Sequence, residues 1–159
     1  MISFSGVTKE EFDEYAEYFV FDYSKEISEN YGYSIDDSTT QAKRELEADF
    51  PNGIASTGNY LVSIQLNEEV QKATIGYLWY SLNKTSDHAF ICDFYIREGY
   101  RNMGYGKAAF DVLENLLLET SIYQIRLRVA YNNTRAFKLY REMGFKITGT
   151  NMIKKLEST

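Results

Sequence analysis

Arg101-Asn-Met-Gly104-Tyr-Gly106-Lys107 stands between a nearly all-apolar run, HAFICDFYI at residues 88–96, and a helical stripe over 105–119. Its two glycines let the backbone turn tightly and let a ligand approach the main chain closely. No proline lies between 97 and 130, so each amide N–H of Asn102, Met103, Gly104, Tyr105, Gly106 and Lys107 is available as a donor. Those donors fall at the start of a helix, where orphan N–H groups and the helix dipole favour an anion. Arg101 and Lys107 add positive charge. The stretch reads as a cradle for a pyrophosphate. A P-loop is excluded, because Gly104-Tyr-Gly106-Lys107 lacks the Gly-x-x-x-x-Gly-Lys-Ser/Thr spacing. A permissive dinucleotide pattern, Gly-x-Gly-x-x-Ala, is met through Ala109. The following strand, however, ends Val129-Ala130-Tyr131 with no acid to hold a ribose, and too little chain follows to complete a parallel dinucleotide-binding sheet.

Upstream of the loop, residues 60–66, 73–82 and 88–96 read as three strands joined by short turns, which suggests antiparallel pairing. The third is nearly all-apolar, as a strand covered on both faces is. Earlier still, residues 2–5 suit a short strand, and Thr8-Lys-Glu-Glu11 reads as a capping box. The helix it opens carries Phe12, Tyr15, Ala16, Phe19, Val20, Tyr23 and Ile27 on a 3.6-residue stripe and ends at Asn30-Tyr-Gly32. A weaker helix spans 36–49, before Phe50-Pro51-Asn52-Gly53 breaks the chain. Downstream, Ala109, Leu113, Leu116 and Leu117 mark the buried face of the helix over 105–119. Residues 124–130 alternate as a strand, 134–143 form a short helix closed by Gly144, and 145–156 supply one or two final strands. The order β α α β β β α β α β describes a single α/β domain over 1–159. The strand–helix–strand unit at 88–130 is a right-handed parallel crossover.

A chain of 159 residues with 44% hydrophobic residues buries a core without staples. One cysteine and one histidine exclude a disulfide framework and a His- or Cys-built metal site, so no metal is expected. The formal charge of −6 argues against nucleic acid as a partner and is compatible with cationic substrates. No run is long enough for a membrane span, and the N-terminus lacks the basic and apolar regions of a signal peptide; a cytoplasmic setting is expected.

A third kind of cradle fits the loop best. Arg/Gln-x-x-Gly-x-Gly/Ala after a buried strand resembles the acyl-CoA loop of the GNAT superfamily of N-acetyltransferases. In that family the next strand ends in a valine, followed by an Asn four residues later, an Ala seven later, Leu-Tyr ten and eleven later, and then Gly-Phe. Here Val129 is followed by Asn133, Ala136, Leu139-Tyr140 and Gly144-Phe145. The resemblance covers residues 60–156 and is similar in wording to small bacterial members of unassigned substrate. It implies a mixed, mostly antiparallel sheet with a central, splayed parallel strand pair and helices on both faces. It further implies acetyl-CoA as co-substrate, lying between strands 88–96 and 124–130. Backbone groups of Phe94, Tyr95 and Ile96 would pair with the pantetheine, and the amides of 102–107, with Arg101 and Lys107, would hold the pyrophosphate. Asn133 would bind the pantetheine arm, although Asn also suits a helix N-cap there.

The implied reaction is direct attack of a primary amine, of a small molecule or peptide, on the thioester in a ternary complex. Tyr140 is the expected donor to the leaving thiolate; a core tyrosine is the plain alternative. For the base, relatives often carry a Glu at positions that are here occupied by Arg128 or lie on strand 88–96. Asp93 is the one acid on that strand. Strict alternation puts Phe94, Cys92, Phe90 and His88 on the Ile96 face and Tyr95 and Asp93 on the other, and a local bulge would re-aim Asp93 into the cleft. Cys92 reads as inert and His88 as structural. A non-catalytic acyl-CoA-binding module is the competing function. Strand 73–82 and the C-terminal strands are the candidate faces for a homodimer.

Overall fold

The computed structural model describes residues 1–82 and 87–157. It opens with β1 (Ile2–Gly6) and then α1 (Lys9–Tyr31). The Thr8 hydroxyl accepts the Glu11 amide at 3.2 Å, the half of the capping box that satisfies a backbone donor, a contact of the kind that contributes about 1 kcal/mol. Gly32 closes α1 in the left-handed region at φ 72°. Then come α2 (Ile35–Asp49), capped by Ser34, and the strands β2 (Asn59–Asn67), β3 (Lys72–Leu82) and β4 (Ala89–Ile96). The chain continues through α3 (Tyr105–Glu119), β5 (Ile125–Leu127) and α4 (Thr134–Glu142). The turn expected at 83–87 lies almost wholly outside the described residues.

The sheet runs β1-β2-β3-β4-β5, with antiparallel pairing up to β4 and a parallel β4–β5 pair. Two cores cover its two faces. On one, α3 lays Ala109, Phe110, Leu113 and Leu117 against Ile64, Ile75, Leu78 and Ile91. On the other, α1 and α2 bring Tyr15, Phe19, Leu46 and Phe50 against Leu61, Tyr77 and Trp79. Burying each such large side chain stabilises the fold by roughly 1.5–3 kcal/mol, and β3, sandwiched by both layers, is buried from Ile75 to Tyr80. Gly76 permits the close β3–β4 approach, because a Cβ there would run into the Tyr95 carbonyl.

Three expectations need correction. Strand 124–130 shrinks to the three residues of β5, and 145–157 form no ladder among the described residues, so β5 is the last strand of the sheet. After Phe145 the chain runs exposed: Ile147, Met152, Ile153 and Leu156 all face solvent, because without a neighbouring strand their alternation has no surface to pack on. On α3 the buried stripe takes Phe110 in place of Leu116, which is exposed, because the helix packs through its 109–110–113–117 face.

Candidate active site

The β4–β5 ladder holds only for Ala89–Ile125, Phe90–Arg126 and Ile91–Leu127. Beyond Ile91 and Leu127 no ladder pair joins the two segments. At the same place the β3–β4 register slips: Trp79 pairs with Asp93 and Tyr80 with Ile91, leaving Cys92 as the extra residue of a bulge. A bulge bends its strand and increases the local twist, and this one falls immediately after the last residue of the parallel ladder. It also corrects the strict alternation expected for β4, and not by re-aiming Asp93: the bulge moves Cys92 and the residues before it, while Asp93 keeps the Tyr95 face and meets Tyr15 of α1. Phe94 and Ile96 share the α3 face with Ile91 and Ala89, whereas Cys92 packs on the α1–α2 side with Tyr95.

Backbone groups of β4 alternate between its two edges. The Arg97 N–H donates to the Ile75 carbonyl of β3 at 2.7 Å. Phe94 and Ile96, offset by odd steps from Arg97, therefore turn their main-chain groups to the open edge, while those of Tyr95 point to β3. Arg101 closes over this edge. Its Nε donates to the Ile96 carbonyl at 2.6 Å, and its guanidinium lies 5.4 Å from the Tyr95 ring centroid. The loop then turns through two left-handed residues, Asn102 at φ 61° and Gly104 at φ 82°. Gly104 is the N-cap of α3 and brings no side chain to it. The turn is closed by the Ala108 N–H donating to the Gly104 carbonyl at 3.1 Å, so the amides of Tyr105, Gly106 and Lys107 are the orphan donors of the helix start. Gly106 sits against Phe94 and Leu139, which places these donors over the end of β4 and beside α4. Met103 is exposed at the loop's outer rim.

Asp93 lies at the bulge, half-buried, and accepts a hydrogen bond from the Tyr15 hydroxyl at 2.7 Å. Burial pushes its carboxyl up to about 7, against the Tyr15 and Phe94 hydrogen bonds, which favour the ion; the charges of Asp22 and Glu26 push the same way as burial. Tyr140, on α4, packs its ring against Phe110 and Phe145 with centroids 6.0 and 5.6 Å apart. Burial raises its phenol, and the Asp93 charge raises it further. Asn133 is the N-cap of α4, its Oδ1 accepting the Ala136 amide at 3.2 Å.

Other sequence candidates take quieter places. Cys92 is half-buried, and burial pushes its thiol up to about 11. His88 meets Asp87 at 3.1 Å. Arg128 pairs with Glu26 at 3.1 Å, and with Tyr23, Ile27, Asn30 and Tyr31 it lines a recess of about 200 Å³ beside α1. Among the described residues no group of three or more His, Cys, Asp or Glu side chains could hold a metal ion, and no helix is long and apolar enough to cross a membrane. Tyr15 is the partner that sequence reading did not find. Its place on the α1 stripe marked it as core, and the available signal was chemical: a buried tyrosine brings a hydroxyl that needs a partner.

A parallel strand pair whose ladder stops at a bulge, with an orphaned helix N-terminus at its open end, defines the acetyltransferase fold that the motif spacing resembles. Residues 12–145 match the acetyltransferase (GNAT) family model, and the chain belongs to that family. Two Bacillus subtilis relatives are similar along their whole lengths. The uncharacterized N-acetyltransferase YycN is 31% identical over 98% of this chain and 99% of its own, and YdgE is 26% identical over 94% and 95%. The crystal structure of YycN superposes with a TM-score of 0.90 at 30% identity, covering 99% of this chain and 100% of that one. The PaiA N-acetyltransferase of Thermoplasma acidophilum, solved in complex with coenzyme A, shares the fold at 17% identity and a TM-score of 0.67, over 95% of this chain and 93% of that one.

Proposed function

We propose that residues 1–159 act as one cytoplasmic N-acetyltransferase unit that moves the acetyl group of acetyl-CoA to a primary amine by direct attack in a ternary complex. The observation that carries this reading is the coincidence at one end of the sheet of the β4–β5 opening, the orphan amides of α3, Asp93 and Tyr140. The pantetheine lies along the open edge of β4 at Phe94 and Ile96, where it replaces the missing strand. Its pyrophosphate rests on the amides of 102–107 with Lys107 nearby, and Arg101 shapes the rim by bonding Ile96. Asn133 holds the start of α4 and so the placement of Tyr140.

In the reaction the neutral amine nitrogen attacks the thioester carbonyl carbon, forming a C–N bond. The C–S bond then breaks, and the sulfur leaves as a thiolate. Asp93 takes the proton lost by the amine, and the Tyr140 hydroxyl gives one to the thiolate. No covalent enzyme intermediate is required, and Cys92, with its raised thiol, is unsuited to form one. Incubating the protein with acetyl-CoA and a panel of primary amines, and following free CoA, tests the reading. Turnover on at least one amine is expected. Tight CoA binding with no turnover on any amine would leave the acyl-CoA-binding module as the function, and absence of CoA binding would remove both.

A further inference from the structure

We infer that Tyr15, on α1, is a positioning residue that fixes the Asp93 carboxylate for proton transfer. The inference rests on the reading of Asp93 as the base. Tyr15 and Asp93 are 78 residues apart, and the Tyr15 hydroxyl donates to the Asp93 carboxylate at 2.7 Å. Tyr15 is 1% exposed, so water does not compete for its hydroxyl, and its ring is clamped by Tyr18, Phe19 and Tyr77 with centroids 5.4 to 6.0 Å away. A donor held this firmly on a long helix fixes one carboxylate oxygen and leaves the remaining lone pairs of the group to accept a proton. Asp93 keeps its register with Trp79 and shares the Tyr95 face, which is the face that α1 covers, so the Tyr15 hydroxyl reaches it directly. Tyr140 packs in the cluster on the α3 face, and its phenol is raised by burial and then by the Asp93 charge.

The groups that bear on the protonation of Asp93 are Tyr15, Asp22 and Glu26 from α1, the Phe94 amide on β4 and Tyr140 from α4. Tyr18 and Cys92 are also close enough to feel its charge. Asp22 and Glu26 favour the protonated form, and the Tyr15 hydroxyl favours the ion. Removing only the hydroxyl should therefore raise the midpoint of Asp93 and leave the packing in place.

The test compares the full chain with its Tyr15→Phe variant in two measurements. Carboxyl-carbon NMR of the free protein follows Asp93 directly, the resonance being identified by its loss in Asp93→Asn. The pH dependence of kcat/KM follows it in turnover, with acetyl-CoA and the best amine from the panel above. Tyr15→Phe should fold normally, as thermal melting reports. Its Asp93 midpoint should rise by about one pH unit, and the acid limb of kcat/KM should rise with it. The loss should be about tenfold at pH 6 and vanish near pH 9. A merely structural role would lower the rate equally at all pH values. An Asp93 midpoint and acid limb that stay where they are in Tyr15→Phe, while Asp93→Asn is inactive, overturn the inference alone. Undiminished turnover by Asp93→Asn overturns the base reading and the inference with it.

Discussion

Cys92 and Asp93 are consecutive in the chain, yet both side chains face the α1–α2 layer. In a regular strand they would point to opposite faces. The bulge spends Cys92 as its unpaired residue, so Asp93 keeps its pairing with Trp79 while everything before Cys92 is shifted by one. The shift puts Ile91 and Ala89 into the α3 core, where both are buried. The β4–β5 ladder ends at Ile91, two residues before the carboxylate.

As the proposed base, the Asp93 carboxyl should give activity and stability opposite responses to pH. Its value in the fold, about 7, lies above the ordinary 3.8 of an unfolded chain. Between these values the native protein holds a proton that the unfolded chain has released, so the contribution of Asp93 to stability falls as pH rises from about 4 to about 7 and is flat above. With Asp93 as the proposed base, activity requires the ion, so kcat/KM should climb as pH rises through about 7 to a plateau above about pH 8. Asp93→Asn should lower kcat by about a hundredfold or more. Denaturant titrations at pH 5 and pH 8 should show the Asn variant gaining stability relative to the parent at the higher pH. Equal pH slopes for the two would mean that Asp93 titrates normally.

Tyr140 separates chemistry from binding. Its ring belongs to the cluster with Phe110 and Phe145, and phenylalanine preserves that packing. Tyr140→Phe should lower kcat by about a hundredfold, within the range for one proton-transferring group, while the Kd for CoA by calorimetry stays within about threefold. A variant that turns over at the parental rate would leave Tyr140 a core residue only.

Much of this arrangement was legible before the fold was known, and for identifiable reasons. The strands β2, β3 and β4 and the helices α1 and α3 have long periodic patterns, and their ends carry Thr8, Gly32 and Gly104, whose backbone roles are local. The turn at 101–107 could be read because glycine permits its left-handed backbone at Gly104, ahead of the start of α3. A bulge near Asp93 could be raised from the sequence only as a condition, because register slips are decided by the neighbouring strand. Tyr15 could not be assigned to Asp93 at all, since a contact across 78 residues leaves no periodic trace. The final strands failed for the opposite reason: residues 145–157 have strand-like composition, but composition does not provide an edge to pair with.

Gly104 tests the anion cradle. A Cβ built there meets nothing within 4 Å, so the effect of alanine is conformational, arising from φ +82°. A left-handed alanine costs roughly 1–2 kcal/mol, and the loop can escape that cost only by turning its amides away. Gly104→Ala should lower unfolding stability by about 1 kcal/mol and weaken CoA binding several-fold. Dephospho-CoA, which keeps the pyrophosphate, should be weakened equally, and pantetheine, which lacks it, should be affected much less. A loss shared by pantetheine would place the defect in the β4 edge instead of the amides.

Phe145 and the residues after it should behave as two different materials. The Phe145 ring packs edge-on against Phe110 and Tyr140 with centroids 5.9 and 5.6 Å away, and its N–H donates to the Tyr140 carbonyl at 3.0 Å. Beyond it, Met152 is 94% and Leu156 84% exposed, and neither can contribute through burial in the single chain. Phe145→Ala should therefore cost about 3 kcal/mol or more, the range for an aromatic removed from a packed cluster, and should also reduce kcat by loosening Tyr140. A chain ending after residue 146 should lose less than about 1 kcal/mol in urea unfolding at micromolar concentration. If the truncated chain is instead destabilised as much as Phe145→Ala, the terminal residues are packed in solution. Repeating the unfolding of the full chain at tenfold dilution then locates that packing, since only packing against a second copy makes the midpoint depend on protein concentration.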